Sequence, residues 1–339
     1  MSNYYKNKQI LITGGVGTIG SSLLERLLQF KPKVIRIFDN NEYKLFEVSQ
    51  RKNIRIRPLL GDIRDYERLK KAMENIDVVF HAAALKHVEL SEFNAFEVVK
   101  TNVLGTQNVL QAAIENKVDR VIVISTDKAV NPISTMGATK LLAEKLAVSA
   151  AYQKGDSKTK FAVVRFGNVL GSNGSVVPLW LEQIKREQAI SITHTEMTRF
   201  IMLTNHAIDL VLKASAKASG GEIFILKMPS VKISDLAQAV ISLYKSTHNV
   251  KTSIAIKNIG TKPGEKLHEE LIAEQELTSM YETKEMFIVT PKSELMGLKM
   301  IRSSSAEKKL PNLIAYNSNT PPHLNQDEIQ ALLKESQIL

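Results

Sequence analysis

Apolar positions in the first half of the chain form two alternating kinds of run. Short continuous runs predict strands: Gln9-Ile10-Leu11-Ile12, Val34-Ile35-Arg36-Ile37-Phe38, Asp77-Val78-Val79-Phe80-His81, Arg120-Val121-Ile122-Val123-Ile124 and Phe161-Ala162-Val163-Val164-Arg165, with another over residues 53–59. Between them, apolar residues return at helical spacing. Ile19, Leu23, Leu24, Leu27 and Leu28 form one stripe. Val99, Val103, Val109, Leu110 and Ile114 lie on a helix predicted over residues 96–115, and Leu141, Leu142 and Leu146 on one over residues 136–150. Strands that are apolar throughout, rather than at every second position, have both faces covered. With right-handed crossovers this predicts an α/β fold built on a doubly wound parallel sheet.

After Asn168 the rhythm changes. Helices are predicted over residues 176–187, 234–245, 265–273 and 326–334, and a strand over 222–226. From Lys292 the chain reads as loop-rich, with a break at Pro321-Pro322. This organisation suggests a nucleotide-binding domain over residues 1–170. Residues 171–339 would form a smaller C-terminal substrate lobe, some of whose segments return to the sheet.

The glycine run Thr13-Gly14-Gly15-Val16-Gly17-Thr18-Ile19-Gly20 joins the first strand to the first helix. Gly14 permits the tight turn, Gly17 lets backbone approach a pyrophosphate, and Gly20 lets helix and strand pack closely. Thr18 and Ile19 open the helix, whose N-terminal N–H groups and dipole favour an anion. No Gly-Lys-Ser/Thr follows, so this is not a nucleoside-triphosphate loop. Asp39 closes the second strand about 20 residues on, where a carboxylate grips the ribose hydroxyls of an adenosine. Asn40 and Asn41 follow it, not arginines, which favours NAD over NADP. Asp62, ahead of Ile63, is placed either to meet the adenine amino group or to cap the next helix. Ala82, Ala83 and Ala84 leave room for a flat cofactor or for a close-packed helix.

Ile124-Ser125-Thr126-Asp127-Lys128 ends the fifth strand, and Met136-Gly137-Ala138-Thr139-Lys140 opens the following helix. Several proton-handling groups therefore meet at one strand end, which suits an elimination better than a plain hydride transfer. From spacing alone, Asp127 serves equally well as a turn cap and Lys128 as a surface lysine.

Composition narrows the partners. The chain has 339 residues and no cysteine, which excludes a disulfide framework and thiolate metal sites. Nor does His268-Glu269-Glu270 supply the second histidine of a zinc helix, so no metal is expected. The net charge is +10, but the basic residues are mixed with acids, as in Glu67-Arg68-Leu69-Lys70-Lys71, and only 6% of residues are aromatic. A solvated basic surface that draws in a small anionic substrate fits this better than nucleic-acid binding. No apolar run approaches the roughly 20 residues of a membrane span. The polar N-terminus leaves no room for a signal peptide, so a soluble, cytoplasmic protein is expected.

Thr13 to Gly20, His81-Ala82-Ala83-Ala84-Leu85-Lys86-His87-Val88, Ser125 to Ala129, Met136 to Lys140, Arg165-Phe166-Gly167-Asn168-Val169-Leu170-Gly171-Ser172, Met197-Thr198-Arg199-Phe200 and Pro263-Gly264-Glu265-Lys266-Leu267-His268-Glu269 together resemble the UDP-N-acetylglucosamine 4,6-dehydratases. These are extended short-chain dehydrogenase/reductase enzymes of bacterial polysaccharide and glycan synthesis. The resemblance implies a Rossmann-type fold and bound NAD. It also implies a three-stage reaction on a UDP-sugar: oxidation at carbon 4, loss of water across carbons 5 and 6, and hydride return to carbon 6. Larger relatives carry N-terminal membrane helices, which are not seen here.

On that resemblance Asp127 is expected to be the acid at the carbon 6 oxygen. Lys128, neutral when desolvated among cations, is expected to be the base at carbon 5. Thr126 is placed against the carbon 4 oxygen, and Lys140 against the nicotinamide ribose. Met136 stands where the wider superfamily has a tyrosine, and a thioether cannot accept a proton. Thr126 relaying to water, or one of Asp127 and Lys128, must serve instead. Lys86, Asn168, Arg199 and Glu265 resemble the family's nucleotide-sugar contacts, with Arg199 suited to the diphosphate; His87 reads as structural. Two other readings remain: a UDP-sugar 4-epimerase on the same fold, and a catalytically silent NAD-binding protein. Helices over residues 96–115 and 136–150 would pair in a homo-oligomer.

Overall fold

The computed structural model describes residues 2–172, 174–291, 308–309, 316–320 and 322–338. Strands β1 (Gln9–Thr13), β2 (Val34–Asp39), β3 (Ile56–Leu60), β4 (Val78–His81), β5 (Arg120–Thr126) and β6 (Lys160–Phe166) alternate with helices. Later strands are β7 (Asn168–Val169), β8 (Ile190–Ile192), β9 (Thr198–Met202), β10 (Ile223–Leu226), β11 (Ser230–Lys232), β12 (Ile256–Asn258), β13 (Met280–Glu282), β14 (Met286–Val289) and β15 (Lys308–Lys309). The main sheet runs β15-β13-β14-β10-β6-β5-β4-β1-β2-β3. From β10 to β3 every pairing is parallel, while β13, β14 and β15 add an antiparallel edge. The doubly wound parallel sheet is thus present.

β1 lies between β2 and β4, so the chain winds outward from it in both directions. Helices then leave opposite faces and a crevice opens above the carboxyl ends of β1 and β4. The apolar runs are buried on both faces: Ile10, Leu11, Ile12, Val78, Val79, Phe80, Val121, Ile122 and Val123 have no exposed surface. A second core forms around Trp180, Ile190, Val231, Leu236, Val240, Ile329 and Leu333. Two small sheets, β11-β9-β7 and β12-β8, accompany it.

Two predicted helices differ. The one over residues 96–115 is three consecutive pieces: Ala95–Val99, a π-helical turn Lys100–Gly105, and Thr106–Glu115. The wide turn brings Asn102 inward, where its side chain accepts from Leu85 N (2.8 Å) and donates to Leu85 O (3.0 Å) and Thr139 Oγ1 (3.1 Å). Around and beyond this region Leu90, Phe93, Phe96, Leu104 and Leu142 are exposed. The segment over residues 265–273 is not helical. Gly264 turns the chain at φ +75°, and the backbone then bonds across to other strands. Thr198 N donates to Leu267 O (3.1 Å), Leu271 N to Tyr316 O (3.0 Å) and Ser318 N to Glu269 O (2.8 Å). Most of the stretch from Lys292 read as loop-rich, with Pro321, lies outside the described residues. Among the described residues no helix is long and apolar enough to cross a membrane.

A buried ion triad ties this non-helical segment to the sheet. Arg165 on β6 donates to Glu144 (Nε–Oε1 3.0 Å, Nη2–Oε2 2.6 Å), to Glu276 (Nη1–Oε2 2.8 Å, Nη2–Oε1 2.9 Å) and to Leu271 O (2.9 Å). Burial alone would lower the Arg165 pKa, but the two carboxylates outweigh it and hold the guanidinium charged. Removing Glu144 keeps the Arg165–Glu276 pair but breaks two charge-assisted hydrogen bonds and leaves their guanidinium N–H groups unpaired in the interior. Glu144→Ala should therefore cost about 3–5 kcal/mol of stability by urea unfolding. A midpoint equal to that of the unsubstituted protein would contradict the buried triad.

Candidate active site

The glycine loop is built for close approach. Gly14 sits at φ +67°, and a Cβ there would lie 2.5 Å from Ala83 N. A Cβ on Gly20 would collide with the Gly14 carbonyl oxygen, so the helix Thr18–Leu28 can pack onto the loop only without one. Gly17 is the N-cap of that helix, and no side chain caps it. Asp39 is fixed at the end of β2: Oδ2 accepts from Val16 N (3.2 Å) and Oδ1 from Asn41 N (3.0 Å). A cleft of about 470 Å³ runs over these ends, lined among others by Gly14, Gly17, Asp39, Asp62, Ile63, Ala82, Ala83 and Ala84. The glycine cradle, an uncapped helix start and an anchored carboxylate fit a dinucleotide.

Asp62 does not cap the next helix; Asp65 does, accepting from Arg68 N (3.0 Å). Asp62 is instead gripped by Arg64, whose Nη2 lies 2.6 Å from Oδ2 and whose Nη1 reaches Glu97 (2.9 Å). Burial would raise the Asp62 pKa, but the bonds from Arg64 prevail and hold it below the ordinary carboxylate value. Beneath the cleft, His81 is bonded on both nitrogens, to Thr13 Oγ1 (2.7 Å) and Thr106 Oγ1 (3.0 Å). Burial, helped by Lys140, pushes its pKa down to about 3, so this imidazole is neutral.

Beyond β4, the end of β5 carries the proton-handling groups. Thr126 Oγ1 donates to Asp127 Oδ1 (2.8 Å), and Lys128 Nζ donates to the same oxygen (3.0 Å). Lys128 Nζ also lies 3.2 Å from Glu269 Oε1. Asp127 is fully buried and Glu269 nearly so. Asp127 Oδ2, Glu269 Oε2 and Asn168 Oδ1 are buried with no partner among the described residues. Gly167, just before Asn168, lies against that free Asp127 oxygen: a Cβ there would stand 3.0 Å from it.

This arrangement corrects the expected state of Lys128. Burial alone would lower its pKa, but Asp127 and Glu269 outweigh both burial and nearby Arg199, so it is raised and the resting group is an ammonium. Lys128 stands between carboxylates, not among cations. Burial, against the pull of Lys128 and with the push of Asp127, raises the Glu269 carboxyl above its ordinary value. Glu269 closes a motif noted in the sequence but was given no role at this centre, because its partner Lys128 lies far away along the chain.

The helix Thr135–Gln153 begins against this cluster. Ser134 caps it by accepting from Gly137 N (3.1 Å), and a Cβ on Gly137 would collide with the Lys128 carbonyl oxygen. Met136 is buried in the first turn. Lys140, one turn on, is buried and donates to Ile124 O (2.6 Å). Lys86 and His87 are exposed in the loop after β4.

Arg199 and Glu265 also sit differently from expectation. Arg199 is buried, and its terminal nitrogens donate to Thr198 O (2.7 Å), Lys266 O (2.9 Å) and Leu267 O (3.2 Å) and approach Glu265 Oε1 (3.4 Å). It does not present an open fork to a diphosphate; it pins the segment that carries Glu269.

A glycine-loop cleft on a doubly wound sheet, with a buried acid–base cluster at the end of a nearby strand of the same sheet, defines a dinucleotide-binding enzyme class. The chain belongs to the polysaccharide biosynthesis protein family, whose pattern matches residues 10–291. It is 39% identical over 341 residues to a UDP-N-acetylglucosamine 4,6-dehydratase (inverting) of Campylobacter jejuni, covering 98% of this chain and 99% of that one. It is also 39% identical over 335 residues to a UDP-glucose 4-epimerase of Rickettsia rickettsii, covering 97% and 96%. An uncharacterized membrane protein of Methanocaldococcus jannaschii shares 52% over 337 residues, covering 99% and 98%. Among solved structures, that of Pen from Bacillus thuringiensis superposes with a TM-score of 0.91 at 44% identity, covering 99% of this chain and all of that one.

Lys140 gives the site a measurable pH signature. Burial, opposed by Glu144, lowers its pKa from 10.5 to about 8. Between those values the unfolded chain binds a proton that the folded chain has lost, so this residue's contribution to stability grows as pH rises. Urea unfolding of the unsubstituted protein and Lys140→Met should diverge from about pH 8 upward, by up to about 3 kcal/mol. Curves that stay parallel across that range would contradict the buried, proton-shedding Lys140.

Proposed function

We propose that the protein is an NAD-dependent UDP-N-acetylglucosamine 4,6-dehydratase, forming a UDP-4-keto-6-deoxy-N-acetylhexosamine. One observation carries this reading: an acid–base cluster of Asp127, Lys128 and Glu269, with two buried carboxylate oxygens that have no hydrogen-bond partner among the described residues, stands at the end of β5. The neighbouring β4 and β1 ends hold the dinucleotide cleft, with Asp39 at its ribose end. When bound, NAD supplies a hydride acceptor for carbon 4 and a donor for carbon 6.

A simple oxidation needs one base, whereas elimination needs a base at carbon 5 and an acid at the carbon 6 oxygen. Thr126 directs its own proton to Asp127, and its oxygen accepts from Lys128 N (3.4 Å), which leaves its second lone pair to accept from the carbon 4 hydroxyl. That proton then passes to Asp127, so buried Met136 need not act as a base. Asp127 next delivers the proton to the departing carbon 6 oxygen. Lys128 handles the proton of carbon 5.

The epimerase reading keeps support from the Rickettsia relative, equal in identity to the dehydratase. Mass and NMR spectra of the product from UDP-N-acetylglucosamine separate the two. Dehydration predicts loss of one water and a new carbon 6 methyl group. Asp127→Asn, with its NAD content unchanged, should lose about 100-fold or more in turnover. A product of unchanged mass, inverted at carbon 4, would establish epimerisation instead, and full turnover by Asp127→Asn would remove the assigned acid.

A further inference from the structure

We propose that Glu269 is a positioning residue of the elimination centre: it takes the Lys128 ammonium proton across their 3.2 Å contact and leaves Lys128 as the amine that acts at carbon 5. The inference rests on the dehydration reading and adds a residue to it.

The geometry leaves Glu269 as the receiver. An ammonium has no lone pair, so Lys128 cannot remove a proton until a neighbour takes one. Asp127 Oδ1 already accepts from Thr126 and Lys128, and Asp127 must keep its acquired proton for the leaving oxygen. Glu269 touches Lys128 through Oε1 alone, and its buried Oε2 has no partner among the described residues. Its backbone is clamped on both sides: Glu269 N donates to Ser318 Oγ (2.9 Å), and Ser318 N donates to Glu269 O (2.8 Å). The charged groups acting on the carboxylate are Lys128, Asp127 and Arg199, and Arg199 Nε stands back at 3.9 Å. The other Arg199 nitrogens are engaged with carbonyl oxygens and Glu265, so it moderates Glu269 without competing for its proton.

The proton count closes. An N–H bond of Lys128 breaks as an O–H bond forms on Glu269. The freed amine takes the carbon 5 proton, the C–H electrons become the carbon 5–carbon 6 double bond, and the carbon 6–oxygen bond breaks. The oxygen leaves as water with the proton from Asp127, which came from the carbon 4 hydroxyl. After hydride returns to carbon 6, Lys128 gives its proton back to carbon 5. Glu269 then reprotonates Lys128, and the cluster is restored.

The test compares the NAD-loaded protein with Glu269→Gln and Glu269→Asp on UDP-N-acetylglucosamine, across about pH 6 to 10. For Glu269→Gln the expected kcat falls by about 100-fold, with KM and bound NAD within about twofold. Its residual rate should climb with pH, since Lys128 must now release its proton to water, while the unsubstituted protein shows no such climb. Glu269→Asp should recover part of the rate and the unsubstituted pH profile. If the glutamine variant does not fold, a partial loss in Glu269→Asp, without a new alkaline climb, supports the proposal. Equal rates in that variant overturn it. A folded glutamine variant with full kcat, or a slower one with an unchanged pH profile, also overturns it. If the unsubstituted protein releases no water from the sugar, the dehydration reading falls and takes this proposal with it; if it does release water, failure of the Glu269 variants to respond sinks only the proposal.

Discussion

The site depends on one ammonium held between two buried carboxylates. Lys128 reaches Asp127 and Glu269 at 3.0 and 3.2 Å, and among the described residues neither acid has another cation within ordinary ion-pair contact apart from Arg199 at 3.9 Å from Glu269. Taking such groups out of water costs several kcal/mol per ion, which pairing only partly offsets. A cluster of this kind is a poor way to stabilise a fold and a good way to hold protons ready for transfer. Its two carboxylate oxygens without a hydrogen-bond partner among the described residues are consistent with that use.

The surrounding fold keeps these groups in place. β5 ends at Thr126, the helix Thr135–Gln153 docks through Gly137 onto the Lys128 carbonyl, and Arg199 fastens the chain ahead of Glu269. On the far side, Arg165 binds Glu144 of that helix, Leu271 O and Glu276. The two segments that bring Lys128 and Glu269 together are therefore tied to the same strand pair, β5 and β6, by buried polar bonds. A buried guanidinium with every partner satisfied resists small displacements more than apolar packing does. The nucleotide cleft is set by different means, chiefly the absence of side chains at Gly14 and Gly20.

Much of the architecture was legible in the chain. Runs such as Val121-Ile122-Val123 are apolar at every position, and only a sheet covered on both faces accommodates them. The glycine spacing and Asp39 marked the nucleotide end for the same reason: backbone geometry there is encoded locally. What depended on distant partners was not legible. Leu267, Leu271 and Ile272 have helical spacing, yet Gly264 turns the segment, and its backbone carbonyls and amides bond to β9 and residues 316–318. The π-turn at Lys100–Gly105 brings Asn102 to Leu85 and Thr139, partners remote in sequence that the apolar spacing does not reveal. Arg199 was recognisable as a special residue, but backbone carbonyls, not an open cleft, receive its hydrogen bonds. Lys128 was expected as a neutral amine because its carboxylate neighbour Glu269 is remote in sequence.

The route taken by the carbon 4 hydrogen distinguishes elimination from oxidation and reduction at one carbon. UDP-N-acetylglucosamine deuterated at carbon 4 would be converted by the NAD-loaded protein in ordinary water, and the label located by NMR. The proposed dehydration predicts that the deuterium moves to the carbon 6 methyl group of a product that has lost water. Deuterium still on carbon 4, with the carbon 6 hydroxyl intact, would contradict it.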